Sequence, residues 1–212
     1  MKLCWLHPTT RTEALAPLWA KLKASIRPCL RPDTEVEFRF MAQSGNFTRS
    51  LYAEHLNSVH MVEAALQAEE DGFDGVFLGC WNDPLWEARE VLSIPVASVS
   101  EQSMLAALTM GRRFAIVTVS EKTAAAIEMD LFAYGLRDRA IMHPVRSITP
   151  ESDTDGTGVP VLDASMIGMK YLEAMTDIAK TCGHVKSRRH TFRAPDRDLL
   201  NKGRRSLGLI PA

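Results

Sequence analysis

The stretch Gly75-Val-Phe-Leu-Gly-Cys-Trp-Asn-Asp-Pro84 constrains the fold more than any other part of the chain. Val76, Phe77 and Leu78 are a short apolar run without polar alternation. Such a run suits a strand buried on both faces, and strands of that kind belong to parallel sheets covered by helices. Cys80 follows Gly79 at the carboxyl end of this strand, with Asn82 and Asp83 beside it and a helix start at Pro84. Ligands of open α/β sheets bind at the carboxyl ends of strands. A thiol there can be a nucleophile or a proton carrier, although many free cysteines are simply small buried hydrophobes. Its position facing a helix start predicts a lowered thiol pKa and a reactivity above that of Cys4, Cys29 and Cys182.

The flanking segments repeat the strand–helix alternation. Lys2–Leu6 reads as a strand, followed by a helix carrying Leu15, Leu18, Trp19, Leu22 and Ile26 at helical spacing. Glu35–Phe40 is a second strand, and residues 43–50 form a polar loop of the sort that often carries function. A long helix spans 51–70, with Leu56, Val59, Met61, Val62 and Leu66 mostly on one side. After the cysteine strand come a short helix over 84–92, a strand over 94–99 and a helix over 101–110. The strand 114–119 then opens, through a Ser120 cap, a helix ending at Gly135, and 141–148 is extended. Residues 149–158 are a Ser/Thr/Asp/Gly-rich linker, 159–162 a last strand, and Asp163 caps a helix running to about Lys180. Strands alternating with helices imply parallel pairing with right-handed crossovers, hence an α/β fold.

Composition narrows the function classes. The four cysteines are widely spaced with no CxxC pair, which fits a reduced, cytoplasmic protein and not a disulfide scaffold. No run of about 18 apolar residues exists, so no membrane partner is expected. Residues 184–212 carry eight Lys/Arg against Asp196 and Asp198, a charge of +6, leaving −7 on the rest of the chain. With Phe192 the only aromatic there and no recognised motif, this basic tail reads as solvated or interface-forming; no nucleic-acid partner is expected. Neither GxGxxG nor a P-loop is present. His55 and His60 stand five apart on different helix faces, and no carboxylate cluster completes a ligand set, so neither metal nor organic cofactor is expected.

Four segments resemble the aspartate/glutamate/hydantoin racemase superfamily, which includes cysteine-dependent racemases, maleate isomerases and arylmalonate decarboxylases. They are Asp71-Gly-Phe-Asp-Gly-Val-Phe-Leu-Gly-Cys80 with Asn82-Asp83-Pro84; Ala88-Arg-Glu90 running into Ile94-Pro-Val96; Gly111-Arg-Arg-Phe-Ala-Ile-Val-Thr118; and Val159-Pro-Val-Leu-Asp163 with Ser187-Arg188 beyond. The resemblance implies two pseudo-symmetric parallel-sheet α/β lobes facing a central cleft. The first lobe would comprise 1–98 with 164–182, a shortened second lobe 99–163, and a basic tail 183–212. It implies a cofactor-independent isomerase or racemase, expected to form a homo-oligomer, acting through Cys80 on a small carboxylate or hydantoin-like substrate. Thr9, Thr10, Asn82, Asp83, Thr118 and Val119 would hold a substrate carboxylate where strands feed helices.

Two departures accompany the resemblance. The first strand ends in His7-Pro8-Thr9-Thr10 where many relatives have an Asn-Pro-Asn-type turn. Relatives also usually carry a second cysteine, placed between the segments matching 141–148 and 159–163. Residues 149–158 are too few for the crossover that would carry it, since a βαβ unit needs roughly 30 residues. One-thiol chemistry, such as cis–trans isomerisation or protonation of an enolate from one face, is therefore expected over two-base racemisation, with turnover favouring an unsaturated diacid or similar activated carboxylate over amino acids or hydantoins. The alternative is a catalytically impaired or non-catalytic member that binds a small carboxylate or a protein partner.

Overall fold

The computed structural model describes residues 1–44, 50–119, 121–147, 161–183 and 186–211. The Ser120 cap, the linker 149–158, part of the loop 43–50 and the first half of the expected strand 159–162 lie outside them; Val161 and Leu162 are not in a strand.

Four parallel strands form the first sheet: β1 (Lys2–His7), β2 (Glu35–Phe40), β3 (Gly75–Leu78) and β4 (Val96–Ser98), in the order β2-β1-β3-β4. Leu3, Cys4, Trp5 and Leu6 of β1 and all four residues of β3 are buried, because helices cover both faces of these inner strands. On one side α2 (Leu51–Glu70) and α3 (Leu85–Val91) pack over Cys4, Leu6, Val76 and Leu78. On the other, α1 (Ala16–Ile26) and the later α6 (Ala164–Cys182) pack over Leu3, Trp5 and Phe77. Leu6 pairs with Leu78 and Leu78 with Ser98, so Pro8, Cys80 and the start of α4 (Val99–Met110) leave the sheet at one carboxyl edge.

A second, parallel sheet contains β5 (Phe114–Thr118) and β6 (Ala140–Ser147), with α5 (Glu121–Ala133) between them in sequence. Its core joins Phe114, Ile116, Ile127, Leu131 and Val145 to Met104 of α4. Asp163 caps α6 by accepting from the backbone N–H groups of Ser165 and Met166. The helix can lie flat on the first sheet because Gly168 meets Phe77: a Cβ there would stand 2.4 Å from the ring.

Two sequence expectations change. The buried face of α2 runs through Asn57, Met61, Ala65 and Ala68, while Leu56 and Val59 are exposed. The C-terminal segment is not a solvated tail. Arg188 donates to the carbonyls of Glu90 and Leu92 at the end of α3, Lys186 to that of Ile94, and Arg204 of α7 (Arg197–Ser206) grips both oxygens of Glu63. These charges find partners on the first sheet's own helices and loops. Cys182 is the exposed last residue of α6.

Candidate active site

At the carboxyl edge of the first sheet lies a cavity of about 310 Å³, a volume suited to a small ring or diacid. Three walls meet there. The loop after β3 supplies Cys80, Trp81, Asn82, Asp83 and Pro84; α2 supplies Glu54, Asn57, Ser58 and Met61 at one-face helical spacing; the end of β5 and the start of α5 supply Val117, Thr118, Val119, Thr123 and Ile127. Pro8, just past β1, completes the lining. The cavity thus sits between the two sheets. A larger hollow is bounded by Arg112, Arg113, Asp138 and Arg139 and does not reach Cys80.

Gly79 sets the cysteine's place. Its N–H continues the ladder by donating to the Leu6 carbonyl at 2.8 Å. A Cβ on it would stand 2.1 Å from Trp5 Nε1 and 2.7 Å from the Leu6 oxygen, so only glycine lets the chain turn there. Cys80 then leaves the sheet half-buried, and its backbone N–H donates to Asp83 Oδ2 at 2.7 Å.

The electrostatics reverse the sequence expectation for this thiol. Burial, and then the Asp83 carboxylate, push Cys80 up to about 12; N–H groups of Trp81 and Asn82 pull the other way without offsetting them, and Glu54 adds to the rise. The helix start facing it belongs to α3, only seven residues long and unable to outweigh this shielding. Burial likewise pushes Asp83 up to about 7 against the pull of the Cys80 N–H. Asp130, in the adjoining hollow with Trp81 and Asn82, is held up to about 6, mainly by burial. At neutral pH the cavity holds a protonated thiol beside carboxyl groups; a thiol raised this far is a weak acid and a weak nucleophile, whose proton passes only to a strongly basic centre such as an enolate carbon.

Of the expected site residues, Cys80, Asn82, Asp83, Thr118 and Val119 all line this cavity. Thr9 and Thr10 do not: the Thr9 hydroxyl bonds His7 Nδ1 at 2.9 Å, and the Thr9 carbonyl accepts from Met41 N–H. His7 itself packs edge-on to Trp19 and is lowered to about 4 by burial, which keeps it neutral. Cys4 is fully buried in the core and likewise pushed to about 12 by burial. Glu54, Asn57 and Ser58 were not expected; their i, i+3, i+4 spacing on one side of a helix following a polar loop is the signal that could have found them. Among the described residues no group of three or more His, Cys, Asp or Glu could hold a metal ion, and no helix is long and apolar enough to cross a membrane.

The family model of Asp/Glu/Hydantoin racemase matches residues 16–162. The chain belongs to the Asp/Glu/hydantoin racemase family. It is similar to the hydantoin racemase of Pseudomonas sp. (strain NS671), 24% identical over 239 aligned positions covering 93% of each chain. That alignment is longer than the 212 residues of this chain, so the relative carries residues with no counterpart here. The hydantoin racemase of Rhizobium meliloti is 25% identical over 177 positions, covering 64% of this chain and 72% of that protein. Among solved structures, the allantoin racemase from Klebsiella pneumoniae superposes with a TM-score of 0.76 at 19% identity, covering 92% of this chain and 94% of that one. The allantoin racemase from Pseudomonas fluorescens gives 0.70 at 16%, covering 92% and 97%. At such identities these two likenesses establish the α/β racemase fold.

Proposed function

We propose that this family member racemises a neutral cyclic ureide of the hydantoin type, with Cys80 carrying a proton to or from the ring carbon next to the carbonyl. One observation carries the choice of substrate: among the described residues lining the cavity there is no Lys, Arg or His, while Glu54 and Asp83 both stand there. A free carboxylate would be desolvated against like charge with no counter-ion among the described lining residues, at a cost of roughly several kcal/mol. A hydantoin ring instead presents N–H donors. Asn82 Oδ1, buried and without a hydrogen-bond partner among the described residues, is an acceptor suited to them. The relatives named as hydantoin racemases support the same reading.

The chemistry needs little from the protein beyond proton transfer and dryness. Breaking the ring C–H bond sends its electron pair into the adjacent carbonyl as an enolate. A proton delivered to the opposite face completes inversion. A thiol held protonated serves the delivery step. The second lobe is read as shortened, in keeping with the extra residues of the aligned relative, so that Cys80 works without a second thiol.

Circular dichroism of an enantiopure 5-substituted hydantoin tests this reading. The wild type should erase the signal well above the buffer rate, and Cys80→Ala should slow it by roughly 10²–10⁴-fold while melting as the wild type does. Undiminished racemisation by Cys80→Ala contradicts the assignment.

A further inference from the structure

We infer that Glu54 is the second proton carrier of this site, a carboxyl taking the place that a second thiol would hold. The inference rests on the hydantoin reading above and deepens it. Inversion needs two groups, one at each face of the reacting carbon. The second-sheet wall of the cavity cannot supply one among the described residues: Val117, Thr118, Val119, Thr123 and Ile127 include no group that titrates near neutrality. All titratable groups of the described lining, Cys80, Glu54 and Asp83, come from the first sheet's loop and helix.

Asp83 is disqualified by its tether. Its Oδ2 accepts from the backbone N–H of Cys80 at 2.7 Å, which holds the carboxyl on the thiol's own loop. Asp130 lines the adjoining hollow and not this one. Glu54 reaches the cavity from a different element, α2, so its carboxyl and the Cys80 thiol enter from separate walls. The Asn82 amide reaches from the cysteine's loop towards the α2 wall, its Nδ2 lying 3.5 Å from Glu54 Oε2. Anchoring is good at the helix: Ser58, one turn on, donates to the Glu54 carbonyl at 2.8 Å.

The ring C–H bond breaks, its proton passes to the Glu54 carboxylate, and its electron pair moves into the ring carbonyl. The S–H bond of Cys80 then breaks, delivering a proton to the other face and leaving a thiolate beside a protonated Glu54. Proton exchange with solvent restores the starting form. The opposite enantiomer runs the same path in reverse, beginning from the form in which proton exchange with solvent has left Cys80 as the thiolate and Glu54 protonated.

Each enantiomer of 5-isopropylhydantoin in heavy water, followed by proton NMR and circular dichroism with the buffer rate subtracted, is the test. The wild type should invert both, gaining a solvent deuteron at each inversion. Glu54→Gln should lose inversion by about a hundredfold or more, yet still exchange the ring hydrogen of the one enantiomer that Cys80 addresses, with retention. Inversion at nearly the wild-type rate overturns the proposal, and so does equal loss of exchange for both enantiomers, the mark of a merely structural role. If Glu54→Gln does not fold, Glu54→Asp decides: withdrawing the carboxyl by one methylene should lower kcat about tenfold with KM little changed, and an unchanged kcat overturns the proposal. A wild type inert towards both enantiomers overturns the hydantoin reading and this inference with it, and is recognised before any variant is made.

Discussion

The backbone N–H of Cys80 and the Oδ2 of Asp83 lie 2.7 Å apart, closing a turn that sets a carboxylate beside the thiol. A cysteine so placed titrates late: burial and that carboxylate together push it up to about 12. The site therefore starts from a protonated thiol, which suits proton delivery and protects the sulfur from adventitious modification.

That relationship predicts the labelling order. At pH 7, iodoacetamide should modify the exposed Cys182 well before Cys80, and Cys80 labelling should accelerate as pH rises towards its pKa. Asp83→Asn and Glu54→Gln each remove a negative charge that raises the thiol, so each should bring its labelling to lower pH. Peptide mass mapping across a pH series reads this. Cys80 labelling fastest at pH 7 would contradict the account.

Gly79→Ala should damage stability and site together. The added methyl would collide with Trp5 Nε1 and the Leu6 carbonyl, neither able to retreat from the inner strand. We expect a loss of about 1–3 kcal/mol in denaturant unfolding, with racemisation falling further than the fraction unfolded explains. An unchanged melting temperature would show that the strand end can shift freely.

How much of this was legible in the sequence differs from residue to residue. The run Val76–Leu78 has no polar alternation, so a doubly covered parallel strand and the exit of Cys80 at its carboxyl end follow from local pattern. The face of α2 did not follow. Hydrophobicity put Leu56, Val59, Met61, Val62 and Leu66 mostly on one side; Met61 is buried, but Leu56 and Val59 are exposed, because the helix's first turns lean over the cavity with Glu54, Asn57 and Ser58. The thiol pKa was misjudged because a helix start is visible in sequence and burial is not. Thr9 looked available until its hydroxyl was found on His7 Nδ1. The tail was read as solvated or interface-forming, and its docking on the chain itself was not legible because the partners of Arg204 and Arg188, Glu63 and the α3 carbonyls, are distant in sequence.

Glu173 of α6 ties down the loop between α1 and β2. Its side chain is 1% exposed and accepts from Thr34 Oγ1, from Arg31 N–H at 3.0 Å and from Lys170. Burial pushes its carboxyl up, but the hydrogen bonds from Lys170, Thr34 and Arg31 outweigh it and leave the group below the ordinary range. A lowered carboxyl pKa contributes stability that is present above the unfolded value and lost as pH falls through the folded one. Glu173→Gln should therefore cost about 2–3 kcal/mol at pH 7, with the gap to wild type narrowing towards pH 3 in urea titrations. A gap independent of pH would contradict an ionised Glu173.

A thiol working on a neutral ring, in a cavity whose described lining holds no cation, is open to a paired exchange measurement. Enantiopure 5-isopropylhydantoin and its ring-opened N-carbamoyl amino acid share the reacting carbon, but in the second the adjacent carbonyl is a carboxylate, which adds the negative charge and also makes the C–H bond less acidic, so each rate is taken as the enhancement over that compound's own exchange in buffer. Proton NMR in heavy water should show wild-type-dependent exchange at the ring carbon of the hydantoin, absent in Cys80→Ala, with the open-chain acid slower by at least about a hundredfold. Faster exchange of the open-chain carboxylate would contradict the account.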